Sequence, residues 1–248
     1  MPRAGGATAR APWLSALAWA GMLFWSAASY AAGNTGSGQP WKLTMGEYLY
    51  AAYLGTDVNL RWREAGTDGW LGIYSDARFG TQARLGADTT IQVAKYLQVQ
   101  PSLQLATRGF AGASVNIQMG GSWYGIAGLG RTDARPYFNL NFDPNDAVTL
   151  GAGHQAEGGL SYAVFVVADN RFHTQQRDWH LNAQIPNGSS HVTLDVLRKS
   201  GLSDAGPVAA WGLSANYDWP RWFLRLAYDP YQNFSAQDAW RFSGGVRF

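Results

Sequence analysis

The last ten residues decide the fold. They read Ala239-Trp240-Arg241-Phe242-Ser243-Gly244-Gly245-Val246-Arg247-Phe248, and polar and apolar residues alternate along them. One face holds Trp240, Phe242, Gly244, Val246 and Phe248, and the opposite face holds Arg241, Ser243, Gly245 and Arg247. A period of two residues predicts a β-strand whose two faces meet different surroundings.

The same alternation continues through most of the chain. Segment 57–63, for example, sets Val58, Leu60 and Trp62 against Asn59 and Arg61. Further strands are predicted at 70–76, 81–93, 97–105, 111–119, 123–131, 135–142, 147–155, 159–169, 177–185, 191–199, 208–218 and 221–229. With the terminal strand the total is 14, or 12 if short segments such as 70–76 do not form full strands. Segment 41–54 fits either a short amphipathic helix or the start of a strand, and its second half favours the strand.

The closing strand resembles that of bacterial outer-membrane β-barrels, in which an aromatic band faces lipid and polar residues face the lumen. The resemblance implies an all-β fold: an antiparallel, up-and-down transmembrane β-barrel of 12–14 strands in the cell outer membrane. In that class a terminal Phe is recognised by the barrel-assembly machinery. Trp240, Phe242, Val246 and Phe248 are therefore expected to form the assembly signal, with outer-membrane lipids as the other partners.

A soluble β-sandwich is the competing fold, because its strands also alternate. The aromatic residues favour the membrane barrel. Trp211, Trp219, Trp222 and Trp240 are predicted near strand ends, together with Tyr217 and Tyr228. Amphipathic rings at that depth anchor a protein to the two bilayer interfaces.

The N-terminal residues predict export. Arg3 and Arg10 precede an apolar run at 12–28, and the small residues Ser29 and Ala31 then define a cleavage site. We therefore expect a signal peptide at 1–31, a spacer and lead-in at 32–54, and a barrel at 55–248. The leader holds two of the 19 basic residues and none of the 17 acidic ones, so the mature chain is balanced and bulk charge gives no support to nucleic-acid binding.

If the apolar faces meet lipid, the opposite faces line the lumen. A charge on the lipid face at mid-depth would cost about 2–4 kcal/mol, so charged residues are expected to point inward. The predicted lumen-lining residues are Arg61, Arg84, Gln100, Asn139, Asp178, His180, Asn182, Asp195, Arg221, Arg225 and Arg241. Such a wall fits a water-filled channel that slightly prefers anions, and equally a narrow barrel filled by its own ion pairs.

One group of inward residues resembles an acyl-transfer site. In a hairpin of 177–185 with 191–199, face parity and a pairing sum near 375 place His180 opposite Asp195, with Ser214 on the next strand. A carboxylate that orients an imidazole beside a hydroxyl is the arrangement used in nucleophilic catalysis. An interior hydrogen-bond ladder explains the same residues without catalysis, and the His-x-Ser-Asn pattern of the outer-membrane phospholipase is absent.

The sequence predicts no cofactor and no metal site. It contains no cysteine, and its four histidines are scattered without clustered carboxylates. The expected function is therefore an outer-membrane channel or transport barrel for small polar solutes or polymer export. Two alternatives remain: an enzyme acting on lipid or lipopolysaccharide, and a plugged structural or adhesive barrel.

Overall fold

The computed structural model describes residues 39–203 and 205–248. In this part the chain forms one closed, antiparallel β-barrel with 14 wall strands. The predicted fold class is confirmed, at the upper end of the predicted strand number. The expected signal peptide at 1–31 and the start of the spacer lie outside the described residues.

The strands follow one another along the chain with mostly short connections. Their bounds are β1 Trp41–Leu49, β2 Leu54–Glu64, β3 Thr67–Asp76, β4 Gly80–Thr89, β5 Ile91–Ala94, β6 Leu97–Ala106, β7 Ala111–Gly120, β8 Trp123–Thr132, β9 Ala147–Gln155, β10 Ser161–Asp169, β11 Arg177–Asn187, β12 Ser190–Ser203, β13 Gly206–Asp218, β14 Trp222–Asp229 and β15 Ala239–Arg247. The described residues include no helix that is long and apolar enough to cross a bilayer.

Every wall strand pairs with two neighbours. β4 and β5 are consecutive parts of one wall strand, interrupted at Thr90, and both pair with β6. The first and last strands also pair, with Lys42 opposite Arg247 and Leu49 opposite Trp240. Closure removes the free sheet edges whose unpaired amides could not be satisfied in lipid.

Two predictions about strands are wrong. One wall strand is missed and one predicted strand does not form, so the number of strands stays at 14. The barrel begins at Trp41 in β1, earlier than the predicted boundary at residue 55. Segment 135–142 is not a strand but part of the loop between β8 and β9. Pro136 within this segment and Pro144 just after it cannot donate to a sheet ladder, and Tyr137, Asn139, Leu140 and Asn141 are buried inside the barrel instead.

The connections differ at the two ends of the barrel. The lower end holds the two chain ends of the wall, Trp41 and Phe248, whose main chains bond to each other at 3.0 Å. Its connections are short, such as 65–66 and 188–189, whereas the upper end has the longer loops 133–146, 170–176 and 230–238. Short turns face the periplasm in this class, so the upper end faces outward. The strands predicted at 191–199 and 208–218 are longer in the structure, since β12 continues to Ser203 and β13 begins at Gly206.

The outer face of the wall is apolar. Leu71, Leu181 and Leu224 expose between 53% and 61% of their surface there. Trp211, Trp219, Trp222 and Trp240 are also exposed. Two tyrosines pack against them at a tilt, Tyr217 on Trp219 with ring centres 4.3 Å apart and Tyr228 on Trp240 at 4.8 Å. In water so large an apolar surface would drive association, whereas in a bilayer it meets lipid.

Candidate functional site

The inner face follows from the alternation of each strand. The buried and half-buried polar side chains point inward, and nine of the predicted lumen-lining residues lie on this face: Arg61, Arg84, Gln100, Asp178, His180, Asn182, Asp195, Arg225 and Arg241. Those of the upper half, including Arg84 and His180, are buried. Those of the lower half, including Arg61 and Arg225, keep part of their surface exposed.

The other two predicted lumen residues lie elsewhere. Asn139 is in the loop between β8 and β9, where it is buried within the barrel. Arg221 is exposed in the lower turn that precedes β14, so it does not lie on the inner wall. The strand starts after this turn because Pro220 has no N–H for the ladder.

Loop 133–146, called the inner loop below, enters the lumen from the upper end. Residues 139–141 and 143–146 of it are buried, although most are polar. The loop satisfies part of its own main chain: the Asn139 amide donates to the carbonyls of Asn141 and Asp143 at 3.1 Å, and the Asn141 N–H donates to Asn139 Oδ1 at 2.9 Å. Internal bonding of this kind lets a loop be buried without a strand partner.

Aromatic packing holds one side of the inner loop. Phe138 stacks on Tyr74 of β3 at 4.6 Å, and Leu140 packs in a cluster with Tyr48 and Tyr74. Tyr137 stacks on Phe110 at 4.2 Å, and burial raises the pKa of its hydroxyl, so the ring stays neutral. The loop therefore covers the upper part of the β1–β4 wall.

A side-chain amide fixes the same segment more precisely. Gln82 of β4 donates to the Phe138 carbonyl at 2.9 Å and accepts from the Phe138 N–H at 2.8 Å. One side chain thus satisfies both main-chain groups of one loop residue. Removing it would leave two buried polar groups unpaired, which is the costly way to lose a hydrogen bond.

His180 of β11 holds the opposite side of the inner loop. Its Nε2 lies 2.7 Å from Asp143 in the loop, and its Nδ1 lies 2.9 Å from Asp195 of β12. The ring also stacks on Phe165 at 4.6 Å. Two ring N–H donors are available together only in the imidazolium, so this bridge is best described as a cation between two carboxylates.

The His180–Asp195 contact comes from a register that differs from the predicted one. In the structure, Asn182 pairs with Asp195 and His180 pairs with Leu197, so the pairing is displaced by two residues. The predicted partners still meet, but diagonally. Ser214 lies directly opposite Asp195 on β13, while both nitrogens of His180 are occupied by carboxylates. This geometry leaves no imidazole nitrogen to act as a base for the Ser214 hydroxyl.

A second buried ion pair lies above His180. Lys199 donates to Asp229 at 2.7 Å, both side chains are almost fully buried, and Asp178 is the cross-strand neighbour of Lys199. Lys199 and Asp229 are not among the lumen-lining residues predicted from the sequence. Their positions in the strands could have identified them, because side chains an even number of residues apart lie on the same face of a strand. Lys199 is four residues from Asp195, and Asp229 is four residues from Arg225.

Several arginines line the wall on the other side of the inner loop. Arg84 pairs with Asp57 at 2.7 Å, and Arg241 lies over the Tyr48 ring at 4.9 Å and 3.4 Å from the Leu140 carbonyl. Arg225 lies opposite Ser243, two residues from Arg241. Lower in the barrel, Arg61 lies on the same wall. The same wall also carries Asp57, Asp68 and Asp88, and Arg61 lies 3.8 Å from Asp68, so it holds charges of both signs.

The described residues contain no group of three or more side chains that could hold a metal ion. Together they form a charged lumen that the inner loop narrows. Its parts are the inner loop, the amide clamp of Gln82, the His180 bridge and the arginine wall.

Comparison with known proteins gives a likeness of fold. Omp33, an outer membrane protein of Acinetobacter baumannii, superposes with a TM-score of 0.54 at 7% sequence identity, over 85% of this chain and 98% of that chain. The KdgM and NanC porins superpose with TM-scores of 0.47 and 0.46, at 10% and 9% identity, over 84% of this chain and 99% and 100% of theirs. No family model and no curated protein matches the sequence.

The closed antiparallel wall, the apolar outer face with its exposed tryptophans, and the fold shared with Omp33 agree with one another. The outer face requires a lipid environment, and the fold is that of proteins of the outer membrane. The chain has the fold of the bacterial outer-membrane β-barrels.

Proposed function

We propose that this protein is a diffusion channel for small polar solutes, in which the inner loop sets the size limit. The observation that carries the proposal is the position of the loop: it is buried in the upper lumen and held by polar side chains from opposite walls. A loop held in this way narrows a barrel of 14 strands without filling its lower half.

The lower lumen supports the same function. Arg61, Gln100, Asn182 and Arg225 are only half-buried, so water reaches them. A polar, wetted wall lowers the cost of moving a hydrophilic solute through the apolar layer of the membrane. A polymer would have to displace the inner loop, so we favour small solutes over polymer export.

The arginine wall predicts a modest preference for anions. Arg84 pairs with Asp57 and Arg61 with Asp68, and Arg225 and Arg241 add two further positive charges on adjacent strands. Basic side chains in a pore attract anions and repel cations within a Debye length, which is about 8 Å at physiological ionic strength. The carboxylates of β11 and β12 limit this preference.

Liposome swelling tests the size limit. Vesicles with the wild-type barrel should swell in small neutral sugars and not in large ones. Gln82→Ala should shift the limit to larger sugars, because the loop loses its clamp. Gln100→Ala is the matched control, since Gln100 contacts Asp88 of the wall at 2.7 Å instead of the loop. Vesicles that swell in no sugar, with either wild type or Gln82→Ala, would contradict the proposal.

A further inference from the structure

Two arginines stand on the outer face near the upper end of the barrel. Arg198 of β12 is the cross-strand partner of Trp179 on β11 and of Trp211 on β13. Its guanidinium lies over the Trp211 ring, 5.5 Å from the ring centre. Arg177 of β11 lies opposite Ser200, two residues above Arg198, so the two arginines are diagonal neighbours.

The two tryptophans define the depth of this pair. Trp179 and Trp211 are 49% and 65% exposed on the lipid side. Exposed tryptophans of membrane proteins lie at the level of the lipid headgroups. Arg198 therefore lies at headgroup level in the outer leaflet, and Arg177 lies slightly above it.

Among residues 39–203 and 205–248, no ion pair joins either arginine to a carboxylate. On the described outer faces of β10, β11, β12 and β13 there is no Asp or Glu. Arg177 donates to the main-chain carbonyls of Thr174 and Gln176, at 2.8 and 2.9 Å, and Arg198 donates to those of Lys199 and Ala210. These bonds orient the guanidinium groups, and carbonyl partners leave each group with its full positive charge.

We propose that Arg177 and Arg198 bind a phosphate group of a phosphorylated glycolipid in the outer leaflet. A guanidinium matches a phosphate with two parallel N–H donors, and two neighbouring guanidinium groups suit its charge. Leu181, Val196 and Leu213 are cross-strand neighbours directly below the pair and supply an apolar surface for acyl chains. Both arginines point away from the lumen, so solutes inside the channel do not reach them.

Lipid retention in detergent tests this site. The purified barrel is mixed with a bis-phosphorylated lipid A glycolipid or with the same lipid after its phosphates are removed, and bound lipid is measured by native mass spectrometry. The double variant Arg177→Gln/Arg198→Gln should bind the phosphorylated lipid about tenfold more weakly than wild type, because two charge contacts are lost. Arg221→Gln is the matched control, an exposed arginine at the lower end.

Two further arms distinguish the source of the phosphate and the role of geometry. Inorganic phosphate at millimolar concentration should not displace the glycolipid, because it lacks the acyl contacts. Arg198→Lys keeps the charge but loses the paired donors, and it should bind with intermediate strength. Heat-modifiable mobility on gels shows that each variant is folded. Equal retention by wild type and the folded double variant, equal retention of the dephosphorylated lipid, or displacement by inorganic phosphate would overturn the proposal.

Discussion

Nε2 of His180 lies 2.7 Å from a carboxylate oxygen of Asp143, and this contact joins the barrel wall to the inner loop. His180 is fixed in turn by Asp195 and by stacking on Phe165. On the β11 side of the lumen the position of the loop therefore depends on His180, and it should respond to changes in that side chain.

The first prediction concerns this bridge. His180→Ala removes a hydrogen bond between charged groups worth about 1.5–3 kcal/mol, so the inner loop should open about 10- to 100-fold more often. The natural chain has no cysteine, which permits a single reporter. Asn141→Cys places a thiol in the buried loop, and maleimide labelling of this thiol should be faster when His180→Ala is added. Ser214→Ala is the control, and equal labelling rates in all three backgrounds would contradict the bridge.

The second prediction separates a channel from an enzyme. Because both nitrogens of His180 contact carboxylates, Ser214 has no general base in this arrangement. Wild-type protein should therefore release no fatty acid from outer-membrane lipid, and Ser214→Ala should conduct as wild type does. Lipid hydrolysis that disappears in both His180→Ala and Ser214→Ala, with the barrel still folded, would establish catalysis instead.

The third prediction tests the two faces of β14. Leu224 is 61% exposed on the outer face, and Arg225 is half-buried on the inner face. Leu224→Arg should lower the free energy of unfolding by about 2–4 kcal/mol if residue 224 lies near mid-depth. Arg225→Leu should affect folding less and shift ion selectivity towards cations. The yield of each variant that refolds into lipid vesicles is measured at increasing urea concentrations. Equal losses of refolding yield for the two variants would show that the assigned faces are wrong.

The fourth prediction concerns assembly. Phe248 exposes 54% of its surface at the lower end, and its main chain bonds to Trp41. Phe248→Ala keeps those main-chain bonds and removes only the ring that the assembly machinery is expected to recognise. The variant should accumulate poorly in the outer membrane of cells, yet it should refold normally in pure lipid.

Tyr96→Ala is the control for this variant, because Tyr96 lies at the lower end with the same 54% exposure. Its assembly in cells should remain near the wild-type level. If Phe248→Ala assembles in cells as well as Tyr96→Ala does, the terminal ring is not the signal.

The sequence predicts the wall of this barrel better than its interior. Alternation identifies most strands, because lipid and lumen select opposite side chains at every second position. It fails for β1, where Glu47 faces outward and Tyr48 faces inward, so the pattern is interrupted near the upper end. It also fails for 135–142, where Tyr137, Asn139 and Asn141 alternate with Phe138 and Leu140 although the segment is not in the sheet.

The site is less predictable for the same reason. Parity places His180 and Asp195 on one face, but the contact between His180 and Asp143 joins residues 37 positions apart through a loop of irregular conformation. A register shift of two residues also leaves every side chain on the same face of its strand. The predicted pairing of β11 with β12 therefore gives the correct face for His180 and Asp195 but the wrong cross-strand partners. Contacts between a loop and a wall depend on tertiary packing, which no local pattern records.

Single-channel recording in planar bilayers shows whether the lumen conducts and whether the inner loop limits its width. We expect discrete conductance steps for the wild-type barrel and a reversal potential in a KCl gradient that indicates a modest preference for chloride. Gln82→Ala should give larger steps, because the inner loop loses both hydrogen bonds of Phe138 to β4. Gln100→Ala should give the wild-type step size. Folded protein that inserts into the bilayer but gives no steps, in both wild type and Gln82→Ala, would contradict the account and indicate a closed structural barrel.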